Sequence, residues 1–265
     1  MNVLLGGKQD TALSADNGTT ICRGHNGGTK RRIETPGIEA TTGGSHTSMS
    51  QRKTASSKAN KKVVQLPDHP IRNVCVYCGS GQGRNPAYTA AARTLGKALA
   101  KSGIGLVYGG GSLGLMGEVA MATLKAGGRV TGIIPSFLSN RERMLEDVTE
   151  LIVTDDMHQR KMEMFKRSDA FVALPGGIGT LEELVEQLTW SQLGRHQKPI
   201  VVANIEGFWT PFMALLGHMK EESFIRPGLE VTFGVVDRAA DILPAAIAAA
   251  KAIEAQTEKE VEARF

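Results

Sequence analysis

The chain of 265 residues is short of cysteine, short of aromatic side chains and without a long apolar run. Its three cysteines, Cys22, Cys75 and Cys78, are too few for a disulfide framework. Cys75 and Cys78 match C-x-x-C, but "NVCVYC" has the character of a strand, where positions three apart point to opposite faces. That geometry argues against a shared redox or metal site. No further cysteine or histidine pair stands at zinc-ligand spacing, so no resident metal is expected. No stretch is continuous enough to cross a bilayer, and the opening "MNVLLGGKQD" has too short an apolar run for a secretory leader. A cytoplasmic protein without membrane contact is the expectation.

The net charge of +4 suggests nucleic acid until its location is considered. Residues 1 to 62 hold ten Lys and Arg against four Asp and Glu, a net of +6, which leaves −2 for the remainder. The part able to fold is therefore not basic, and no nucleic-acid partner is expected. Residues 1 to 66 are rich in Gly, Ser, Thr and Lys/Arg and show no apolar period of helix or strand type. They read as a disordered basic tail. Residues 67 to 258 read as one globular domain, since 41% hydrophobic composition suffices for one sizeable core.

Within that domain short β-branched runs alternate with helical ones. "NVCVYC", "IGLVYG", "RVTGIIP", "TELIVTD", "DAFVAL", "KPIVVAN" and "VTFGVVD" read as strands. "AYTAAARTLGKALAKSG", "LMGEVAMATLKAGG", "MHQRKMEMFKRS", "TLEELVEQLTWSQLG", "GFWTPFMALLGHMKEE" and the Ala-rich C-terminus read as helices. This alternation predicts an α/β fold, a doubly wound Rossmann-like parallel sheet with helices on both faces. All strand ends of one polarity then share an edge, where ligands bind. Three glycine corners fall there: "CGSGQG", "YGGGSLGLMG" and "PGGIGT". Glycines let backbone amides approach a ligand, and the helix starts behind them offer N–H groups to an anion, most simply a phosphate.

Two familiar patterns lie in the second corner. Gly109 to Gly114 satisfies G-x-G-x-x-G, but the next strand ends in Pro135 and Ser136 and lacks the ribose-binding acid of a dinucleotide fold. Gly110 to Gly114 satisfies G-x-S-x-G, with Asp169, His196 and His218 downstream as candidate triad partners. Only one strand precedes it, too few for an α/β-hydrolase. Thr180 and Glu183 form T-x-x-E, a capping box at a helix start, and Arg160 and Lys161 on a polar helix read as solvated.

The run from Arg160-Lys161 through "SDAFVALPGGIGTLEE" to "TWSQLGRHQKPI", with "YGGGSLGLMG" and "YCGS" upstream, resembles the LOG family of cytokinin riboside 5'-monophosphate phosphoribohydrolases. Bacterial members of this family carry a lysine decarboxylase label. The resemblance covers about residues 70 to 250, and P-G-G-x-G-T-x-x-E is its most specific motif. It implies Arg160 and Glu183 as catalytic residues and Gly176, Gly177, Gly179 and Thr180 as a phosphate-binding loop. Gly79, Ser80, Gly109, Gly110, Gly111 and Met116 would wall the nucleotide, with Lys161 and Pro175 among the substrate-binding residues. The implied reaction hydrolyses the N-glycosidic bond of an adenosine 5'-monophosphate substituted on its exocyclic amine, without metal or organic cofactor, in a homodimer. A nucleotide carrier of the same fold with little catalysis is the alternative.

Overall fold

A computed structural model describes residues 69–139, 144–145 and 147–262, all within the unit Lys62–Phe265. The expected tail lies outside the described residues. Seven strands form one wholly parallel sheet: β1 (Asn73–Tyr77), β2 (Gly105–Tyr108), β3 (Val130–Pro135), β4 (Glu150–Thr154), β5 (Ala170–Ala173), β6 (Ile200–Ala203) and β7 (Gly234–Val236). Their spatial order is β4-β3-β2-β1-β5-β6-β7. The chain moves outward from β1 to β4, then returns to place β5 on the other side of β1. The reversal sets a crevice beyond the carboxyl ends of β1 and β5, the usual ligand position in this fold.

Among the described residues six α-helices lie between strands, α1 (Pro86–Lys101), α2 (Gly114–Lys125), the short α3 (Ser136–Ser139), α4 (Met157–Lys166), α5 (Ile178–Gln192) and α6 (Thr210–Glu221), and α7 (Ile242–Glu262) follows β7. Alternation along each strand divides the apolar residues between two cores. Val74 and Val76 join Leu106, Tyr108, Val172 and Val201 beneath α1, α2 and α7. Cys75 and Tyr77 join Val107, Phe171, Met164 and Leu184 beneath α4 and α5. Cys78 belongs to the first core, so the two cysteines of the C-x-x-C sequence face opposite sides of the sheet. Both thiols are free and buried, and burial first, then the charge of Glu183, pushes both pKa values upward. Among the described residues no helix is long and apolar enough to cross a membrane.

Candidate active site

Strands β2, β1 and β5 lie side by side, so their three glycine corners meet. The corners are stitched together through backbone. The Gly79 amide donates to the Pro175 carbonyl at 3.1 Å, joining the first corner to the third. The Gly79 carbonyl accepts from the amides of Leu115 and Met116 at 3.0 and 3.3 Å, joining it to the second. These bonds consume N–H groups at the start of α2 that sequence reading offered to an anion. The same turn of α5 differs: the amides of Ile178, Gly179 and Thr180 donate to no backbone carbonyl among the described residues outside the helix. An N-terminus whose first amides are not spent on other backbone carries partial positive charge, which favours an anion.

Helix α5 begins two residues before the T-x-x-E sequence. Gly177 is its N-cap, in extended conformation and without a side-chain cap bond. Thr180 is thus the third helical residue and does not cap, which corrects the capping-box expectation and removes that structural role from Glu183. The buried stripe of α5 is Thr180, Glu183, Leu184, Gln187 and Leu188, at the helical spacing of one face. Three of its five members are polar. A helix that packs a threonine, a glutamate and a glutamine where apolar side chains would fit accepts a desolvation cost, and such positions point to function.

A cavity of about 290 Å³ opens over this turn. Cys78, Gly79 and Ser80 form one wall, Met116, Met157 and Arg160 another, and Gly177 to Thr180 with Glu182 and Glu183 the third. Arg160, expected in solvent, is 7% exposed. Its Nε donates to the Ile133 carbonyl at 3.1 Å and its Nη2 to the Gly109 carbonyl at 3.3 Å, so two backbone acceptors, one within β3 and one just past β2, draw it inward. Its Nη1 lies 3.7 Å from Oε1 of Glu183, itself 8% exposed. The cavity floor therefore holds a carboxylate next to a guanidinium that is already fixed from behind.

The other expected residues divide by position. Gly79, Ser80, Met116, Gly177, Gly179 and Thr180 line the cavity. Gly176 backs it, since a Cβ there would run into the Thr180 side chain. Gly109 acts through its carbonyl on Arg160, and a side chain at that position would collide with the guanidinium. Gly110 and Gly111 sit behind it: Gly110 takes a φ of +79°, and Gly111 bridges to Met144. Lys161 does not line the cavity; its Nζ is held by Glu182 at 2.6 Å and Glu186 at 2.9 Å. Pro175 borders a second cavity of similar size that shares Gly79, Ser80 and Gly177 and adds Gln82, Tyr88 and Phe208. Gln82 belongs to the first corner itself, while Tyr88 and Phe208 were not signalled in the sequence, because only tertiary packing brings the start of α1 and the segment after β6 to that corner.

The triad suggested by G-x-S-x-G does not assemble. Asp169 accepts from the amides of Arg72 and Asn73, at the opposite edge of the sheet from Ser112. His196 is engaged with the Gln187 carbonyl and the Lys198 amide.

The family model described as "Possible lysine decarboxylase" matches residues 116–246. Cytokinin riboside 5'-monophosphate phosphoribohydrolase LOG3 of Arabidopsis thaliana is 51% identical over 166 residues, 63% of this chain and 77% of that protein. Cytokinin riboside 5'-monophosphate phosphoribohydrolase LOG of Oryza sativa subsp. japonica is 51% identical over 155 residues, 58% of this chain and 64% of that protein. Among solved structures, the molybdenum cofactor binding protein of Rippkaea orientalis superposes with a TM-score of 0.50 at 24% identity, over 65% of this chain and 93% of that one. At that identity the likeness is one of fold.

Proposed function

The chain belongs to the LOG family of cytokinin riboside 5'-monophosphate phosphoribohydrolases and is an enzyme, and from that premise we propose that it hydrolyses N6-substituted adenosine 5'-monophosphates to the free base and ribose 5-phosphate. The observation that carries this reading is the Arg160–Glu183 pair at the floor of a cavity rimmed by the first amides of α5, which are not spent on backbone carbonyls outside the helix. The 5'-phosphate sits on the amides of Ile178 to Thr180 and the Thr180 hydroxyl, where the α5 dipole favours an anion. That places the sugar over Glu183.

Cleavage of the N-glycosidic bond passes through a sugar with oxocarbenium character, and a nearby carboxylate stabilises it. Glu183 holds that negative charge next to the anomeric carbon and orients or deprotonates the water that adds there. The electron pair of the broken bond leaves with the base, which takes up the proton that the adding water gives up, so one water is divided between the two products. Arg160 grips ribose or phosphate oxygens with the N–H groups its carbonyl anchors leave over, and so fixes the sugar relative to Glu183.

Lysine decarboxylation does not fit these residues. A Schiff-base lysine must be available as a free amine. Burial disfavours the Lys161 ammonium, but hydrogen bonds and charge from Glu182 and Glu186 outweigh it and raise the pKa overall. A homodimer accords with Ile178 and Val185, one face of α5, which are 82% and 41% exposed.

The deciding experiment incubates the protein with AMP and a prenylated AMP and separates products by chromatography. Release of base with an equal amount of ribose 5-phosphate is expected, and the nucleoside without its phosphate should be a poor substrate. Tight nucleotide binding without base release would make the protein a carrier.

A further inference from the structure

We propose that Lys161 is a positioning residue: it clamps α4 to α5 by bridging Glu182 and Glu186, and thereby holds Glu183 against Arg160. The inference rests on the reading of Glu183 as the reacting carboxylate.

Arg160 and Lys161 are neighbours on α4, so their side chains leave the helix about 100° apart. Arg160 goes to the sheet and is fixed on the Ile133 and Gly109 carbonyls. Lys161 goes to α5 with its side chain 13% exposed, and its ammonium touches Glu182 and Glu186 at once. Those two carboxylates stand four residues apart on one face of α5 and would repel each other without it. Glu183 lies between them in sequence and turns toward Arg160. The second oxygen of Glu186 is buried and has no hydrogen-bond partner among the described residues, so Lys161 is the contact that orients this carboxylate. Two adjacent cations on one helix thus divide the work. One faces the cavity, and the other fixes the helix that carries its counterion.

The clamp also sets the charge around Glu183. Facing Glu183 are Arg160 from α4, Cys75 and Tyr77 from β1 and Cys78 just after it, while Glu182 and Glu186 stand near it on its own helix. Lys161 touches the last two and offsets one of their two negative charges. Without it they add uncompensated negative charge beside Glu183, which disfavours the ionised carboxylate.

The test is steady-state kinetics of full-length Lys161→Met with AMP across pH. A clamp predicts that kcat falls roughly 10- to 100-fold while KM changes by less than about 3-fold. It also predicts that the acid limb of kcat moves up by about 0.5 to 1 pH unit. Lys161→Arg, which keeps the cation, should restore most of kcat. Glu186→Gln, which removes a negative charge and serves equally well if Lys161→Met does not fold, should move the acid limb down. A raised KM with unchanged kcat and a fixed limb would make Lys161 a substrate ligand and overturn the proposal, as would an acid limb that moves in neither variant. Glu183→Gln measured alongside separates the two levels, because full activity there overturns the catalytic reading itself and the clamp with it.

Discussion

Arg160 stands 3.7 Å from Glu183 with its guanidinium tied to the backbone carbonyls of Ile133 and Gly109, so the carboxylate faces a cation that cannot follow it. Arg160→Lys keeps the charge but loses the fork that spans Ile133, Gly109 and the cavity together. A lysine cannot satisfy both carbonyls and still face Glu183. The expected result is a drop in kcat/KM of about 100-fold or more, with the protein still folded by circular dichroism. Near wild-type kinetics would mean that charge alone suffices and that the anchoring is incidental.

Two glycines of the third corner should respond in opposite ways. At Gly176 a Cβ would meet Thr180 Cβ at 2.6 Å and the Gly79 amide at 2.9 Å, and neither can move without breaking the stitch between corners. Gly176→Ala should therefore cost on the order of 1–3 kcal/mol and lower activity with it. At Gly179 a Cβ meets no protein atom within 4 Å, and the residue lies inside α5. Gly179→Ala should gain about 0.5–1 kcal/mol from the reduced backbone entropy of the unfolded chain. Its methyl nonetheless stands where the phosphate would approach, so KM for the nucleotide should rise about 10-fold. Thermal melts and kinetics of the pair check this, and an unchanged KM in Gly179→Ala would move the phosphate elsewhere.

These glycines also show how far the sequence could be read. All seven strands were legible because each is a short β-branched or apolar run next to a glycine or a turn, and a fully buried parallel strand needs no more than that. The order β4-β3-β2-β1-β5-β6-β7 was not, since nothing local states on which side of β1 the fifth strand returns. The corners were legible as glycine clusters, but which of them keeps free amides depends on the Gly79 carbonyl, an acceptor that every sequence contains. Arg160 reads as solvated because α4 is polar on most positions. The Ile133 and Gly109 carbonyls that bury it are backbone groups without a sequence signature. T-x-x-E misled for a related reason: glycine is an acceptable N-cap, so the helix could begin at Ile178 and carry Thr180 into its first turn.

His196 should set part of the pH dependence of stability. Its ring packs on Phe165 and Phe171 with centroids 5.4 and 5.7 Å away, and Nδ1 accepts from the Lys198 amide at 3.1 Å. Burial holds its pKa below the ordinary value of 6.5, with the charges of Lys198 and Arg195 acting the same way and the Gln187 carbonyl opposing them. The folded pKa is the lower one, so the unfolded chain takes up the proton first. The stabilising contribution is therefore complete above 6.5 and declines as pH falls toward the folded value. Urea midpoints should drop as pH falls below 6.5, and His196→Gln should flatten that part of the curve. A wild-type midpoint constant over the range would show the histidine is protonated as readily when folded.

Glu183→Gln separates a structural glutamate from a reacting one. Glutamine keeps the shape and the ability to accept a hydrogen bond, but it cannot carry negative charge or take a proton from water. With Gly177 as the cap of α5, no capping role remains for residue 183, so loss of a cap cannot explain a defect. Removing the carboxylate does leave Arg160 buried beside a neutral partner, and a modest fall in melting temperature is expected from that. Turnover should fall by on the order of 100-fold or more, the scale of a positioned acid–base group, while nucleotide still binds through the α5 amides. Calorimetric binding of AMP to Glu183→Gln, set against its kcat, reads the two effects apart. If turnover survives, the chemistry moves to Glu182, the other carboxylate that lines the cavity among the described residues. That residue is bound at 2.6 Å to Lys161, so it could act as a base only by giving up the contact that places it.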